Sequence, residues 1–319
     1  MLLSSDQLSF FKAEGYIILP RVLDLNLCNR AQDKLWSDLP QNCKIKKDDP
    51  STHIGPFAEE DIALDVKNLR VGYKWQVRSI GTKELLIDLV FSKVLQNLAE
   101  QLLGKDTLIP PVIEGKTMGL HGAAWPGGPV DPALDNEGAR GIYATLPYGN
   151  STKEPDICHT DGHPFNLSLV GLIDDVPVNG GAFKVWPGSH KRLYPTFQMQ
   201  YDQPRIPYYE HLPSFKGIIH SREYEKEIQK VMEDTDPVDC WGSKGDVIIW
   251  HHRLAHMAGH NYSNKIRFAV LYDFIKKDLD LSRCKPPAQN MWEDWSQALN
   301  QASEKYSITV AKEQRIRNV

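Results

Sequence analysis

The sequence predicts a mainly β protein, a β-sandwich or jelly roll, with helices packed on one outer face. Up to Gly104, apolar residues recur at helical spacing, which predicts helices. From 107 to 275 the chain consists of short apolar or alternating runs separated by glycine, proline and Asn-Gly pairs, a pattern typical of strands and turns. Because the strands follow the helices, we expect the helices to form a layer on the outside of the sheets.

The helical part contains one long helix and several shorter elements. Before residue 40 the predicted elements are a helix from Ser5 to Gly15, a strand over 16–19 and a helix from about Asp24. Residues 40–75 are mixed and polar, and their pattern assigns no element. The clearest helix covers 84–103, with Gly104 as its cap. Its apolar stripe consists of Ile87, Phe91, Val94, Leu98 and Leu102.

The β part contains six predicted strands. They cover 142–146, 167–173, 182–186, 238–241, 247–252 and 267–274. Asn179-Gly180-Gly181 is the strongest hairpin signal in the chain. Two longer inserts, 119–138 and 194–236, interrupt the strand pattern, and the second of them contains a charged helix over 222–233.

The domain organisation predicted from these patterns is simple. We expect one domain over 1–275, with a helical part over 1–104 and a β core over about 105–275. The remaining segment, 276–319, is polar, with a helix expected around 291–305. We expect it to be a C-terminal extension that packs on the same domain.

Composition excludes several classes of protein. The 37 Lys and Arg residues against 41 Asp and Glu residues give a net charge of −4, so nothing indicates a nucleic-acid partner. The five cysteines are odd in number and include no CxxC pair, which argues against a disulfide framework and suits a reducing compartment. We see no signal peptide, and the most apolar long segment carries too many polar residues for a membrane span, so a cytoplasmic location is expected.

The segment His159-Thr160-Asp161 is the first candidate for a functional site. If it is extended, the imidazole and the carboxylate lie on one face and can take two positions on a divalent metal. A lone His-x-Asp occurs often by chance, so further features are needed. A histidine cluster at the end of the predicted strand 247–252 offers a third ligand. Its candidates are His251, His252, His256 and His260.

A second candidate feature is the arginine that begins the last predicted strand. If Ala269 and Leu271 face the core, so does Arg267, because the faces of a strand alternate. Burying a guanidinium without a partner is costly, and a bidentate carboxylate is its natural partner. That carboxylate belongs either to another side chain of the protein or to a bound ligand.

Several motifs occur in an order that resembles a known family. They are His159-Thr160-Asp161-Gly162, Asn179-Gly180-Gly181, Pro187-Gly188-Ser189-His190, Gly245-Asp246 with His256, and Asn261-x-Ser263-x-x-x-Arg267. In this order they resemble the phytanoyl-CoA dioxygenase family, iron(II)- and 2-oxoglutarate-dependent oxygenases built on a double-stranded β-helix. The segment 7–19 resembles the opening of the family as well, and the whole resemblance covers about residues 5–275.

The resemblance implies roles for four residues. His159, Asp161 and His256 would form a facial triad for iron(II), and Arg267 would hold the distal carboxylate of 2-oxoglutarate. Such a triad leaves three positions for the co-substrate and dioxygen. The other histidines of the cluster, and His190, are then structural. The carboxylate of Asp161 also disfavours halogenation, because related halogenases have a small residue at this position.

The sequence departs from the family at two co-substrate positions. Ala258 stands two residues after the distal histidine, where the family often has Ser or Thr. The strand before the metal motif lacks the Gln that is often present, and we expect Tyr143 or Thr145 to replace it. Substrate contacts are expected from His163, and from His121 and Trp125 in a lid formed by 119–138. An ordinary loop role is the alternative for each of these three residues.

Taken with the resemblance, these features predict a dioxygenase that hydroxylates an unactivated C–H bond of a small organic substrate, natural-product-like or lipid-like. Iron(II), 2-oxoglutarate and dioxygen are the implied cofactors, succinate and carbon dioxide are released, and ascorbate supports activity in vitro. Desaturation, cyclisation, epimerisation and demethylation are alternatives at the same site. A catalytically silent metal-binding barrel, acting as a sensor or scaffold, is the alternative from another class. Monomer and homodimer both remain open.

Overall fold

The structure is a computed structural model. It describes the chain except residues 1, 38–43, 58–63, 66–67, 72, 78–79, 82, 112–138, 151–152, 162–164, 198–220, 283–284 and 316–319. The helices are α1 (Ser5–Glu14), α2 (Leu25–Ser37), α3 (Glu84–Val90), α4 (Lys93–Leu103), α5 (Ser189–Leu193), α6 (Arg222–Asp234), α7 (Leu279–Ser282), α8 (Gln297–Gln301) and α9 (Ile308–Glu313). The strands are β1 (Tyr16–Leu19), β2 (Leu64–Asp65), β3 (Asn68–Val71), β4 (Lys74–Val77), β5 (Gly141–Thr145), β6 (Leu167–Leu172), β7 (Phe183–Val185), β8 (Val238–Cys240), β9 (Val247–His251), β10 (His256–Ala258) and β11 (Arg267–Phe274).

The strands form two sheets. The larger has the order β1-β9-β6-β11-β5-β4-β3-β2, and the smaller has the order β10-β7-β8. All strand pairs in both are antiparallel. The strands expected from the sequence therefore form sheets, but helices contribute at least as much regular structure as strands in the described part of the chain. The fold is mixed α and β instead of mainly β.

The two faces of the larger sheet are buried by different partners. Along β11, Phe268 and Val270 pack in one core with the N-terminal helices, whereas Ala269 and Leu271 pack in a second core with Phe183 of the smaller sheet. Strand alternation produces this division. The predicted placement of the N-terminal helices on one outer face is confirmed. Arg267 has the same parity as Ala269 and is buried on the side of the smaller sheet.

The predicted elements before residue 104 are confirmed except at one place. The Ser4 hydroxyl accepts from Gln7 N–H at the start of α1, and Gly15, with φ 82°, ends it. The single predicted helix over 84–103 is wrong, because the chain breaks at Phe91 into α3 and α4. The Ser92 hydroxyl accepts from Leu95 N–H and thereby caps a new helix, which the apolar periodicity alone did not reveal.

The six strands predicted after residue 104 are present, with ends that differ by about one residue. The residue pattern assigned no element to 40–75, which contains β2, β3 and the start of β4, and it missed the short β10. The hairpin predicted at Asn179-Gly180-Gly181 is wrong in one respect. A turn is present, with Asn179 at φ 60°, but it links β6 of the larger sheet to β7 of the smaller one.

The C-terminal segment packs on the helical side of the protein. Trp292 and Leu299 are buried in the core that α1 and α4 share with the larger sheet. The predicted helix around 291–305 is confirmed only over α8. Further on, the Gln314 side chain bonds both backbone groups of Ile18 and so covers the edge strand β1. None of the helices in the described residues has the length and apolar content needed to cross a membrane.

Candidate active site

Two distant segments meet at the smaller sheet and present a pair of histidines. His159 N–H donates to His256 C=O at 3.0 Å, and His256 N–H donates to His159 C=O at 2.9 Å. This bridge places the two imidazole centroids 4.6 Å apart. His256 begins β10, which pairs with β7, so the distal histidine is fixed by the sheet itself.

The carboxylate of Asp161 completes a cluster with these imidazoles. Its Oδ1 lies 3.7 Å from His159 Nε2 and 3.5 Å from His256 Nε2. One ligand atom of each residue lies within 4.8 Å of the others, an arrangement that could hold a metal ion. Asp161 and His256 are buried, whereas the His159 side chain is 53% exposed. The cluster is therefore open on the His159 side.

The donor set fits a divalent first-row metal. The Leu254 carbonyl lies 2.9 Å from His256 Nδ1, so Nδ1 carries the proton and the Nε2 lone pair faces the cluster. Two neutral imidazoles and one carboxylate on one face are the donors of non-haem iron(II) sites, and they leave the remaining positions open. The structure thus brings together the three residues that the sequence selected as ligands.

Arg267 lies at the start of β11 and is buried. Its Nε donates to the Gly181 carbonyl at 3.0 Å, and its Nη1 donates to the Tyr143 carbonyl at 3.4 Å. Among the residues that the structure describes, no carboxylate pairs with it, and burial lowers its pKa to about 10. A side-chain salt bridge, one of the two interpretations left open by the sequence, is therefore not found in the described part of the chain. The guanidinium suits an anionic ligand.

Comparison with known families decides which group of proteins this site belongs to. The family model described as phytanoyl-CoA dioxygenase matches residues 11–269, most of the chain. The chain belongs to the phytanoyl-CoA dioxygenase family. This membership confirms the resemblance found in the sequence and places the chain among oxygenase-type enzymes that depend on iron and 2-oxoglutarate. No curated protein gives a significant sequence match.

Solved structures of similar fold include enzymes with different reactions. The carbocyclase SnoK from nogalamycin biosynthesis is 19% identical, with TM-score 0.47, covering 92% of this chain and 95% of its own. The epimerase SnoN, in complex with Fe3+, α-ketoglutarate and nogalamycin RO, is 16% identical, with TM-score 0.45 and coverages of 85% and 83%. EctD from S. alaskensis, with 2-oxoglutarate and 5-hydroxyectoine, is 14% identical, with TM-score 0.48 and coverages of 87% and 77%. These likenesses are too distant to assign a reaction to this chain.

Thr145, one of the two residues expected from the sequence to contact the co-substrate, lies next to Arg267. Thr145 of β5 is the register partner of Arg267. Its hydroxyl is buried, and no described residue forms a hydrogen bond with it. Gly181, at φ 72°, must be glycine here, because a Cβ would lie 2.9 Å from the Thr145 methyl group. On the opposite edge of β5, Lys74 of β4 is the register partner of Thr145. Lys74, Thr145 and Arg267 therefore form a row across three strands, and the sequence did not indicate this second basic residue.

The motif residue Asn261 aligns the two strands of this row. Its amide donates to Thr145 C=O at 2.8 Å and to Lys265 C=O at 2.7 Å, and its side-chain oxygen accepts from Ser263 N–H. Tyr143, the other predicted co-substrate residue, lies two positions before Thr145 on β5, and its side chain is therefore on the same face. Ala258 ends β10 opposite Phe183.

The remaining histidines of the cluster bond to protein groups, as expected for structural residues. Arg253 Nη1, which can only donate, lies 2.9 Å from His252 Nδ1, so His252 Nε2 carries the proton and donates to Asp161 C=O at 3.2 Å. His251 Nδ1 accepts from Arg253 N–H. His260 lies 2.9 Å from the Tyr148 hydroxyl, and His190 bonds Lys12 C=O. His252 thus supports the backbone of the metal motif.

The metal motif itself contacts the second insert. Thr160 N–H donates to the Tyr224 hydroxyl at 3.1 Å, and the two hydroxyls lie 2.8 Å apart. Tyr224 is on α6, so this helix packs directly against the candidate site. Burial raises the pKa of the neighbouring Cys158 thiol to about 12, which makes it an unreactive core residue.

Three predicted substrate residues lie outside the described part of the chain. They are His163, His121 and Trp125, together with the whole predicted lid 119–138. By contrast, sequence reasoning missed Arg140, which is buried and ion-paired with Asp161. A lone arginine before a short strand carries no sequence signal, because its partners are supplied by two other segments.

Proposed function

We propose that this chain is an iron(II)- and 2-oxoglutarate-dependent dioxygenase that hydroxylates an unactivated C–H bond of a small organic substrate, natural-product-like or lipid-like. The observation that carries the proposal is the buried Arg267 guanidinium. It has no carboxylate partner among the described residues, and it contacts Gly181, whose neighbour Ala182 bonds Gly259 just after β10. These contacts link Arg267 to β10, the strand that carries His256, and support an anion site near the His159, Asp161 and His256 cluster.

Each residue has a role that its surroundings support. His159, Asp161 and His256 hold the metal, and Arg267 binds the distal carboxylate of 2-oxoglutarate through a two-point contact. The Thr145 hydroxyl, which is buried beside Arg267, supplies the contact of the Gln that is missing from this strand. Tyr143 lies further along the same face of β5 and contributes to the wall of this pocket.

When bound with dioxygen, iron(II) and 2-oxoglutarate supply the oxidation, in which the co-substrate is decarboxylated to succinate and one oxygen atom goes to the substrate. The chain orients these groups and controls access to them. Asp161 and His256 are buried and exclude water from one side of the cluster, whereas the exposed His159 leaves the other side open to substrate.

We also propose a fold and a domain assignment. The larger and smaller sheets face each other across a shared apolar core, which supports a double-stranded β-helix with the metal cluster at one edge of the smaller sheet. Residues 276–319 belong to the same domain, because Trp292 packs into the helical core.

The proposal is tested by an assay of succinate formation from 2-oxoglutarate with iron(II), ascorbate and a panel of small organic metabolites. We expect substrate-stimulated succinate in wild type and none in His159→Ala. Absence of iron binding in the purified wild type, or equal iron affinity in His159→Ala, would contradict the proposal.

Other outcomes at the same site are separated by their products. Desaturation, cyclisation, epimerisation and demethylation would give the same succinate but no hydroxylated product. A catalytically silent sensor or scaffold is the second candidate, and Ala258 favours it because a usual co-substrate contact is missing. A charge-transfer absorption band on adding 2-oxoglutarate to the iron form would exclude the scaffold, since a scaffold need not bind the co-substrate.

A further inference from the structure

Arg140 is held in a single position by a carboxylate on the neighbouring strand. Its Nε donates to Asp273 Oδ2 at 2.6 Å, and its Nη2 donates to Asp273 Oδ1 at 2.7 Å. Its backbone N–H also donates to Leu271 C=O at 2.8 Å. Both side chains are about 95% buried, so this two-point contact is shielded from water.

The third nitrogen of the same guanidinium reaches the candidate metal ligand. Arg140 Nη1 lies 2.8 Å from Asp161 Oδ2, whereas Asp161 Oδ1 faces the two imidazoles. Each oxygen of the Asp161 carboxylate therefore has its own neighbours. Although burial alone would lower the pKa of Arg140, the charges of Asp273 and Asp161 raise it, so the guanidinium stays charged.

We propose that Arg140 is a positioning residue that keeps Asp161 a one-oxygen metal ligand. The inference rests on the proposed iron and 2-oxoglutarate function. Carboxylates bind metals through one or both oxygens. Binding through both would require Oδ2 to leave its buried ion-pair contact with Arg140, which is costly. With Oδ2 kept by Arg140, each residue of the triad would hold the metal through one atom, and positions would stay open for the co-substrate and dioxygen.

Asp273 has a supporting part in this arrangement. Its two-point contact with Arg140 fixes the plane of the guanidinium that faces Asp161. With it, one guanidinium lies between two carboxylates, and the buried group carries a net charge of −1. This residual negative charge next to two imidazoles suits a divalent cation.

The test compares metal and co-substrate binding in Arg140→Met, Arg140→Lys and a matched control, Arg192→Met. Arg192 is also an ion-paired arginine, but its partners Glu227 and Asp234 are on α6 and the pairs are partly exposed. Iron(II) is titrated anaerobically, then 2-oxoglutarate, and the charge-transfer absorption band is recorded. Thermal unfolding of each variant reports whether it folds.

We expect Arg140→Met to lose about 10–100-fold in iron(II) affinity, the range typical of residues that support a metal ligand. It should also bind 2-oxoglutarate several-fold more weakly, with a shifted band. Arg140→Lys should recover part of the affinity, because an ammonium group can reach Asp161 but lacks the fork for Asp273. Arg192→Met should bind as wild type does. A folded Arg140→Met with wild-type affinity and band would overturn the inference.

Two further outcomes are informative. If Arg140→Met does not fold, Asp273→Asn replaces it in the test. This variant weakens the two-point contact that orients Arg140 and keeps the arginine itself. A several-fold loss of 2-oxoglutarate affinity in it supports the inference, and no change overturns it. If wild type itself shows no iron-dependent band with 2-oxoglutarate, the proposed function fails, and the inference falls with it.

Discussion

His159 and His256 hold each other in register through two backbone hydrogen bonds of 3.0 and 2.9 Å. The bond pair fixes the positions of two imidazoles that are far apart in the sequence. It involves only backbone groups, so it forms whether or not a metal is bound. The site is therefore preorganised, and side-chain changes at either histidine remove a ligand without breaking the bridge.

Replacement of His256 by alanine should abolish metal binding without unfolding the protein. We expect the affinity for iron(II) to fall by more than about 100-fold, since loss of a ligand costs more than loss of a supporting residue. Calorimetric titration with iron(II) under anaerobic conditions measures this. The matched control is His260→Ala, which removes a histidine that bonds Pro155 C=O and Tyr148. Equal losses in both variants would contradict the assignment of His256.

Replacement of Arg267 should weaken the binding of 2-oxoglutarate and leave the binding of the metal unchanged. Hydrogen bonds to a charged group contribute about 1.5–3 kcal/mol, so Arg267→Met should raise the KM for 2-oxoglutarate roughly 10–100-fold. Arg267→Lys should raise it less, because it keeps the charge but loses the two-point contact. The rate of succinate formation at varied 2-oxoglutarate concentration gives the KM of each variant. An unchanged KM in Arg267→Met would show that the buried guanidinium serves another anion.

Thr145→Val separates a binding role from a structural one. Removing a buried hydroxyl that has no hydrogen-bond partner among the described residues should raise the unfolding free energy of the metal-free protein by about 1 kcal/mol. If the hydroxyl contacts the co-substrate, the affinity for 2-oxoglutarate should drop roughly 5-fold at the same time. Thr196→Val is the control, because its hydroxyl already donates to Leu193 C=O. Greater stability with unchanged affinity would remove Thr145 from the co-substrate site.

Trp292→Ala tests whether the C-terminal segment is part of the domain. Trp292 is buried against Phe11 and His251, and large-to-small changes of this kind cost about 3–5 kcal/mol. Urea unfolding should show one cooperative transition at a lower midpoint. Ile308→Ala, at an exposed position of the same segment, should change stability by less than about 0.5 kcal/mol. A separate early transition in wild type would indicate that 276–319 is an independent unit.

Two buried histidines should make the protein less stable in mild acid. Burial lowers the pKa of His190 to about 3 and that of His251 well below its usual 6.5, so neither binds a proton in the folded protein near pH 6. The unfolded chain does bind protons below about pH 6.5, so stability is complete above that pH and falls as the pH decreases. The loss is about 1.4 kcal/mol per pH unit for each histidine until its folded pKa is reached.

Urea midpoints of the metal-free protein between pH 7.5 and pH 5 measure this slope. His190→Gln should have a smaller slope than wild type, because one of the two groups no longer titrates. A chelator is needed throughout, since metal binding to the triad also depends on pH. Equal slopes in the two proteins would mean that His190 is protonated in the folded state.

Local chemistry was enough for the sequence to predict much of the site. Strand alternation placed Arg267 on the face that is buried towards the smaller sheet, and the His159-x-Asp161 spacing put an imidazole and a carboxylate together. The strand boundaries were right to about one residue, because glycine and proline mark turns directly. By contrast, the break at Phe91 was missed, since a Ser92 cap is compatible with an uninterrupted apolar stripe.

The tertiary structure decided the features that depend on contacts between distant segments. Residue patterns alone left four histidines as candidates for the third ligand, and only the pairing of His159 with β10 brings His256 to Asp161. The two ion-pair partners of Arg140, Asp161 and Asp273, lie on other segments of the chain, so its position at the candidate site is visible only in the folded protein. The absence of a carboxylate at Arg267 among the described residues is likewise a property of the packed fold. The sequence specifies which side chains are present and which face of a strand each one occupies. Only the folding of the whole chain determines which of these side chains come into contact.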